Sequence, residues 1–582
     1  MRRALVSLFV VVAAVALSAQ RQQEAAVTEW VRSTAIRLQT VEAGHGFADL
    51  QPLKRVVGDA RIVALGEATH GSREFFQLKH RLLEFLASEM GFTIFSIEAN
   101  LPEAYRLNDY VLTGVGDPRL LLRGMYFWTW DTEEVLDMIL WMRAFNASGR
   151  GRVQFTGFDM QTPIVAMEIV RAFVARYDPA SVATILRANA EVNALSQTAS
   201  FGVATGTFPV GVAASKRVKY SGFIKTAGVT RGYAGLWWRV DGESGALAFD
   251  NMSDRGATGT SEWARYEIEL PVASNARNIN FGALHTGDGT AWFDDLRIEL
   301  DGVPYTNQTL FDLDFESTTP RGFAVGGAGY EVQLDRQTAH NGNQSLRMTY
   351  LSAGSGGIDP ARVSATWKEV VRSIESNRGL YQSRGATGPE IEWAARNATI
   401  VLQGVQMRTN EATRDRSMAE NIKWILDQSP NEKIVLWAHN GHVAAGGFGG
   451  AGFEPMGSTL RSYYGGKMVV FGFAFNQGSF QAMGRPTGLS TFTVPPAPPG
   501  SLDATLAAAR IPALAVDWRS VPVAGRRAGV GPWINQQQKT RWVGSTYFES
   551  APDAFWVDLR AREAFDVTLF IDLTTAARAN PR

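Results

Sequence analysis

Short unbroken apolar runs alternate with longer stretches of helical periodicity over the first third of the chain. Ile62-Val63-Ala64-Leu65 has the pattern of a strand buried on both faces. Behind it Phe75, Leu78, Leu82, Phe85 and Leu86 recur at three- and four-residue spacing, which predicts a helix. Ser72 is its expected N-cap, and Glu74 falls in the first turn, where a carboxylate suits the helix dipole. Thr93–Ile97 and Val153–Thr156 predict further strands, with helical patterns around 101–112, 133–145 and 163–195. Such alternation predicts an α/β fold with a mostly parallel sheet flanked by helices.

Past Phe201 the period changes to two. Short alternating runs separated by Gly, Asn and Asp appear at 218–224, 235–240, 264–270, 291–298, 313–316, 330–334 and 345–349. Many short strands at even spacing predict a β-sandwich of jelly-roll type. Helical periodicity resumes near Pro360, and strands are expected at Thr399–Leu402, Lys433–Ala438, Met468–Phe475 and Ala513–Asp517. The expected organisation is an α/β domain in two parts, 27–204 and 356–582, interrupted by an all-β module at 205–355.

Composition changes this picture in three places. Lys+Arg and Asp+Glu are both 57, so a zero net charge gives no electrostatic case for nucleic acid. With no cysteine there is no thiolate ligand, disulfide or cysteine nucleophile. At the N-terminus Arg2-Arg3 precede an apolar run from Ala4 to Leu17, then Ser18-Ala19 and a polar stretch. This predicts a signal peptide over 1–19 and an exported protein, periplasmic or extracellular. No later run approaches a membrane span.

The candidate chemistry sits at the strand ends. Gly66 is followed by Glu67 and His70; the 93–97 strand ends at Glu98, the 153–156 strand at Asp159, and the 433–438 strand at His439 and His442. In a parallel sheet these ends share one edge, where open α/β sheets bind ligands. Three of the chain's seven His fall there. An imidazole beside a carboxylate activates water, and Lys79 or Arg81 on the following helix would stabilise a developing oxyanion. No G-x-S-x-G occurs, so a serine nucleophile of the α/β-hydrolase type lacks support. His80, next to Lys79, is expected on a solvated face. The rival chemistry is a divalent metal, zinc or manganese, held by Glu67, His70, His439 and His442, although this spacing is no standard zinc motif. A second reading, from another class, makes the β module a glycan- or surface-binding unit, with Trp237, Trp238, Trp263 and Trp292 available to stack on sugar rings.

These residues carry a resemblance. Gly66-Glu67-Ala68-Thr69-His70-Gly71, Gly157-Phe158-Asp159, Arg414-Asp415-Arg416-Ser417-Met418-Ala419-Glu420-Asn421 and Trp437-Ala438-His439-Asn440-Gly441-His442 occur in the order that resembles the erythromycin esterase family. The resemblance implies hydrolysis of an ester or macrolide lactone by water activated at His70, without a metal cofactor. Glu67, Glu74, Glu98, His439 and His442 match the family's site residues, and Asp159 and Arg81 join Lys79 as expected substrate-side groups. Lys79 stands where many members carry Arg, replacing a forked donor with a point charge. The β segment resembles a galactose-binding-like jelly roll, a carbohydrate-binding-like module.

Overall fold

The computed structural model describes residues 23–197, 201–242, 245–307, 309–327, 329–351, 359–448, 453–484, 488–521 and 530–581. The expected signal peptide lies outside them. The chain divides into two compact units, one of residues 1–179, 367–482 and 491–582, the other of 180–366 with 483–490. The expected module limits, 205 and 355, fall inside the second unit.

The first unit is built on a mixed sheet of nine strands among the described residues. Eight of them are β1 (Ile36–Arg37), β2 (Ile62–Leu65), β3 (Ile94–Asn100), β4 (Gln154–Asp159), β5 (Ile434–Trp437), β6 (Met468–Gly484), β7 (Ala513–Asp517) and β8 (Val567–Thr574). They lie in the order β1-β7-β8-β6-β2-β5-β3-β4. Every pair from β8 to β4 is parallel, and β7 runs antiparallel to both its neighbours. Every residue of β2, β5 and β3 is buried, which is why their sequences read as continuous apolar runs. No helix among the described residues is long and apolar enough to cross a membrane.

Register fixes what happens at the sheet edge. Leu65 and Ile97 both pair with Trp437, and Ile97 pairs with Gly157. The residues that follow on β2, β5, β3 and β4 therefore emerge side by side. Asn440 locks this edge: its Nδ2 donates to Phe473 O at 2.7 Å, and its Oδ1 accepts from Phe473 N at 3.0 Å. A Cβ at position 66 would lie 2.2 Å from that Oδ1, so only glycine lets the amide approach.

Helix α1 (Arg73–Met90) follows β2 as expected and ends at Gly91, whose φ of 72° is the left-handed conformation of a C-terminal cap. Ser72 occupies the N-cap position, but its hydroxyl bonds Thr69 Oγ1 at 2.6 Å instead of capping. Helices α2 (Leu101–Thr113), α3 (Glu133–Ala147), α4 (Gly388–Thr409) and α5 (Thr413–Gln428) complete the part that matters for the site. The strand expected at Thr399–Leu402 is part of α4. A capping box between Thr387 and Glu390 starts that helix, and Ile391, Ala394, Ala398, Val401 and Val405 give it one buried face. The helical periodicity of the long segment overrides the β-branched run.

In the second unit all strand pairs among the described residues are antiparallel. Runs expected as separate strands at 218–224 and 235–240 belong to one strand, Arg217–Gly242. Gly228 and Gly232, with φ of 66° and 75°, bend it without ending it. The run at 313–316 is a turn rather than a strand, with Phe315 at φ 55° and its amide donating to Asp312 O. The unit has its own aromatic core of Tyr220, Trp238, Phe281, Phe311 and Phe323. Trp238 is thus a core residue and not a platform.

Candidate functional site

Two imidazole–carboxylate pairs meet at the sheet edge. In the first, His70 Nδ1 lies 2.6 Å from Glu67 Oε1. The other oxygen of Glu67 accepts from Lys79 Nζ at 2.5 Å and from Trp437 Nε1 at 2.6 Å. Both Glu67 and Lys79 are fully buried. Burial alone would raise the Glu67 pKa, but Lys79 and His70 hold it below the ordinary carboxylate value. Burial pushes Lys79 down to about 8 against the pull of Glu67. An ionised Glu67 fixes the proton of His70 on Nδ1 and leaves Nε2 as a bare lone pair.

In the second pair, His442 Nδ1 lies 2.9 Å from Asp415 Oδ1, at the start of α5. Arg414 stands beside it, donating to Glu98 Oε1 at 2.7 Å and to Asp159 Oδ2 at 2.7 Å. Its Nη1 lies 3.1 Å from His442 Nε2, a contact that is a hydrogen bond only while that nitrogen keeps its lone pair. Burial opposes protonation of His442, yet Glu98 and Asp415 raise its pKa above the usual histidine value. A proton arriving at Nε2 finds Glu98 Oε1 at 3.4 Å as its partner. Glu98 itself stays ionised: burial would raise it, but His442 and Arg414 hold it far below the carboxylate range.

His439 lies between the pairs, its ring 5.1 Å from that of His70. Its Nδ1 accepts from Gly441 N at 3.1 Å, so the proton of the neutral ring is on Nε2. Burial, then the neighbouring His70 and His442, push its pKa down to about 3, so it stays neutral. That Nε2–H is buried without a partner. Trp542 stands edge-on to His439 at 5.8 Å, with Phe448 at 4.9 Å from Trp542, forming an apolar wall.

The other expected site residues are placed as follows. Asp159 is fully buried and serves as an anchor for Arg414, also accepting from Gln161 Nε2 at 2.6 Å. Lys79 has no exposed surface; its ammonium is ion-paired with Glu67 and stands 4.1 Å over the Trp437 ring. Arg81 does not join this cluster: it forks onto Asp49 at 2.6 and 2.9 Å and donates to the carbonyls of Thr40 and Gly46. Glu74, matched to the family's site residues, accepts from Thr575 N and Oγ1, both at 2.7 Å, and makes no contact with the two pairs. His80, expected on a solvated face, is buried beside Trp141, and burial pushes its pKa down to about 4.

Arg414, Asp415 and Trp437 carry the network although residue-by-residue reading of strand ends gave them no role. Their signal was position, since Arg414-Asp415 opens the helix that leads into β5. Glu103 had no signal at all. In the first turn of α2 and 2 % exposed, it has neither carboxylate oxygen hydrogen-bonded, and burial pushes its pKa up to about 7. A raised carboxylate pKa costs stability progressively as pH climbs from about 4.5 to about 7, with the full cost present above that. Glu103→Gln is therefore expected to raise stability by up to about 3 kcal/mol above pH 7 and to change little at pH 4, read from denaturant melts at both pH values.

The metal expectation meets crowded ligands. Glu67 Oε2 already accepts two hydrogen bonds, and both nitrogens of His442 and Nδ1 of His439 are engaged. Among the described residues no group of three or more His, Asp or Glu side chains is arranged to hold a metal ion.

Comparison with known proteins gives the ancestry. A family model described as erythromycin esterase matches residues 87–220 and 336–574, more than half of the chain. The match contains Glu98, Asp159, Arg414, Asp415, His439 and His442 and begins beyond Glu67 and His70. An erythromycin esterase type II of Escherichia coli is 31 % identical over 156 residues, 26 % of this chain and 36 % of that protein. The chain spans about a third of the length of the curated relatives it matches. Among solved structures, a succinoglycan biosynthesis protein superposes with a TM-score of 0.58 at 18 % identity, covering 97 % of this chain and 99 % of that one. The erythromycin esterase EreC in its open conformation gives 0.54 at 13 % identity over 94 % of this chain and 99 % of that one, which is a likeness of fold. With the family model matched across both parts of the α/β unit and its residues at the sheet edge, the chain belongs to the erythromycin esterase family.

Proposed function

We propose that this protein is an exported hydrolase that opens an ester or lactone, a macrolide among the candidates, with water activated by His70 and no metal. The observation that carries the reading is two imidazoles anchored in opposite senses on rings 5.1 Å apart: His70 Nδ1 rests on the Glu67 carboxylate and His439 Nδ1 on the Gly441 N–H, which leaves Nε2 of His70 to accept and Nε2 of His439 to donate. A water between them donates a proton to His70 and accepts from His439. As it attacks the carbonyl carbon, Glu67 stabilises the imidazolium that forms, and Lys79 and Trp437 hold Glu67 in place. Collapse of the tetrahedral intermediate needs a proton on the leaving alkoxide. The proton that His70 took from water supplies it and returns the ring to its neutral form, while burial keeps His439 neutral. The aromatic wall of Phe448 and Trp542 favours a substrate with a large apolar body.

Export rests on the basic and apolar N-terminal pattern. The family name supports ester chemistry, and the name of the E. coli relative supports a macrolide. Mass spectrometry of macrolides and simpler esters after incubation with the protein is expected to show gain of one water. Absence of that product across the panel overturns the reading.

A second reading, saccharide binding by the β unit, is favoured by a groove of about 590 Å³ on the open face of its sheet. Residues two apart along the strands line it, among them Tyr233, Trp237, Arg239, Asp241 and Asn280. The Trp237→Ala variant in the titration below tests it.

A further inference from the structure

The first unit contains a cavity of about 730 Å³ in its helical layer. None of its lining residues belongs to the two imidazole pairs or their partners. Four helices supply its walls: Pro102, Tyr105, Arg106 and Asp109 come from α2, Gly388, Pro389, Glu392 and Trp393 from α4, Trp424 and Gln428 from α5, and Ile169 from the helix Ile164–Tyr177. The volume is that of a small-molecule site.

Its chemistry is mixed in a specific way. Tyr105 and Trp393 pack with ring centroids 4.4 Å apart, and Trp393 and Trp424 at 6.3 Å. These rings form an apolar floor. The lining carries one cation, Arg106, and two anions, Asp109 and Glu392, of which Glu392 is ion-paired with Arg378. Arg106 and Asp109 sit three residues apart on one helix, yet neither side chain has an ion-pair or hydrogen-bond partner among the described residues. Arg106 and Asp109, exposed and of opposite sign, therefore stand unpaired at the rim of an aromatic floor. A charged ligand would leave one of the two ionic groups opposed. An uncharged ring with an apolar C–H face and a rim of hydroxyls, each both donor and acceptor, satisfies floor and rim together.

We propose that this cavity is a binding site for a short neutral saccharide, separate from the hydrolytic centre. The proposal does not depend on the esterase reading, because binding is measured without turnover. The test is calorimetric titration of the full chain with neutral trisaccharides (maltotriose, cellotriose and chitotriose) and with a charged one, trigalacturonate. At least one neutral trisaccharide is expected to bind, and trigalacturonate is expected not to. Trp393→Ala and Arg106→Ala should each weaken binding by about tenfold or more, while Trp237→Ala leaves it unchanged. Arg106 is exposed, so its variant reads the site even if Trp393→Ala fails to fold. No heat with any neutral trisaccharide, tighter binding of trigalacturonate, or binding lost in Trp237→Ala but kept in Arg106→Ala overturns the proposal.

Discussion

His70→Ala is expected to lower kcat by about 10²–10⁴-fold, the range for removal of a general base, while the fold survives. Structure separates the two effects. The His70 side chain is 12 % exposed, and its loss leaves Glu67 paired with Lys79 and Trp437, so no buried charge is stranded. The thermal midpoint should therefore stay close to that of the parent. His70→Gln, which retains polarity but cannot take a proton, should be as inactive as the alanine variant. Steady-state kinetics beside a circular-dichroism melt check both parts. An unaffected rate removes His70 from the chemistry.

The largest expected loss of stability is at Arg414. This one guanidinium joins Glu98 and Asp159, which are 7 % and 0 % exposed. Arg414→Ala leaves two buried carboxylates without their cation, and breaking a buried pair in this way costs about 3–5 kcal/mol. The pH dependence follows from sign. Glu98 has a depressed pKa in the folded protein, so its contribution is present above the ordinary carboxylate value and is lost only as pH falls through the depressed one. Without Arg414 that depression shrinks, so the variant should be weakest near neutrality and should approach the parent in acid. Arg414→Lys keeps a charge but cannot fork onto both carboxylates, and should fall between the two. Urea melts at pH 7 and at steps down to the lowest pH at which the parent still folds read the difference; a destabilisation that stays constant as pH falls below the ordinary carboxylate value would contradict the ionic account.

The sheet edge was legible because buried parallel strands write themselves as apolar runs, and the ionisable residue after each run marks the same edge. Glu67, His70, Glu98, Asp159, His439 and His442 all emerge there. Helical spacing was a poorer guide to partners. Arg81 lies two positions beyond Lys79, and that rotation around α1 turns it away from Glu67 and onto Asp49. Glu74 was drawn off by a segment 501 residues further on, which no local pattern reveals. Thr399–Leu402 misled because a β-branched run inside a long capped helix resembles a strand when read alone. The tautomers were invisible in sequence, since they depend on which backbone amide or carboxylate meets each imidazole nitrogen.

Those tautomers are also where the account is most exposed. Selective ¹⁵N labelling of histidine, with His70→Gln and His439→Asn to assign the signals, gives the protonation of each ring nitrogen near neutral pH. The prediction is a proton on Nδ1 and none on Nε2 in His70, with the reverse in a neutral His439. A His439 ring that is cationic or carries its proton on Nδ1 would contradict the water-activating pair.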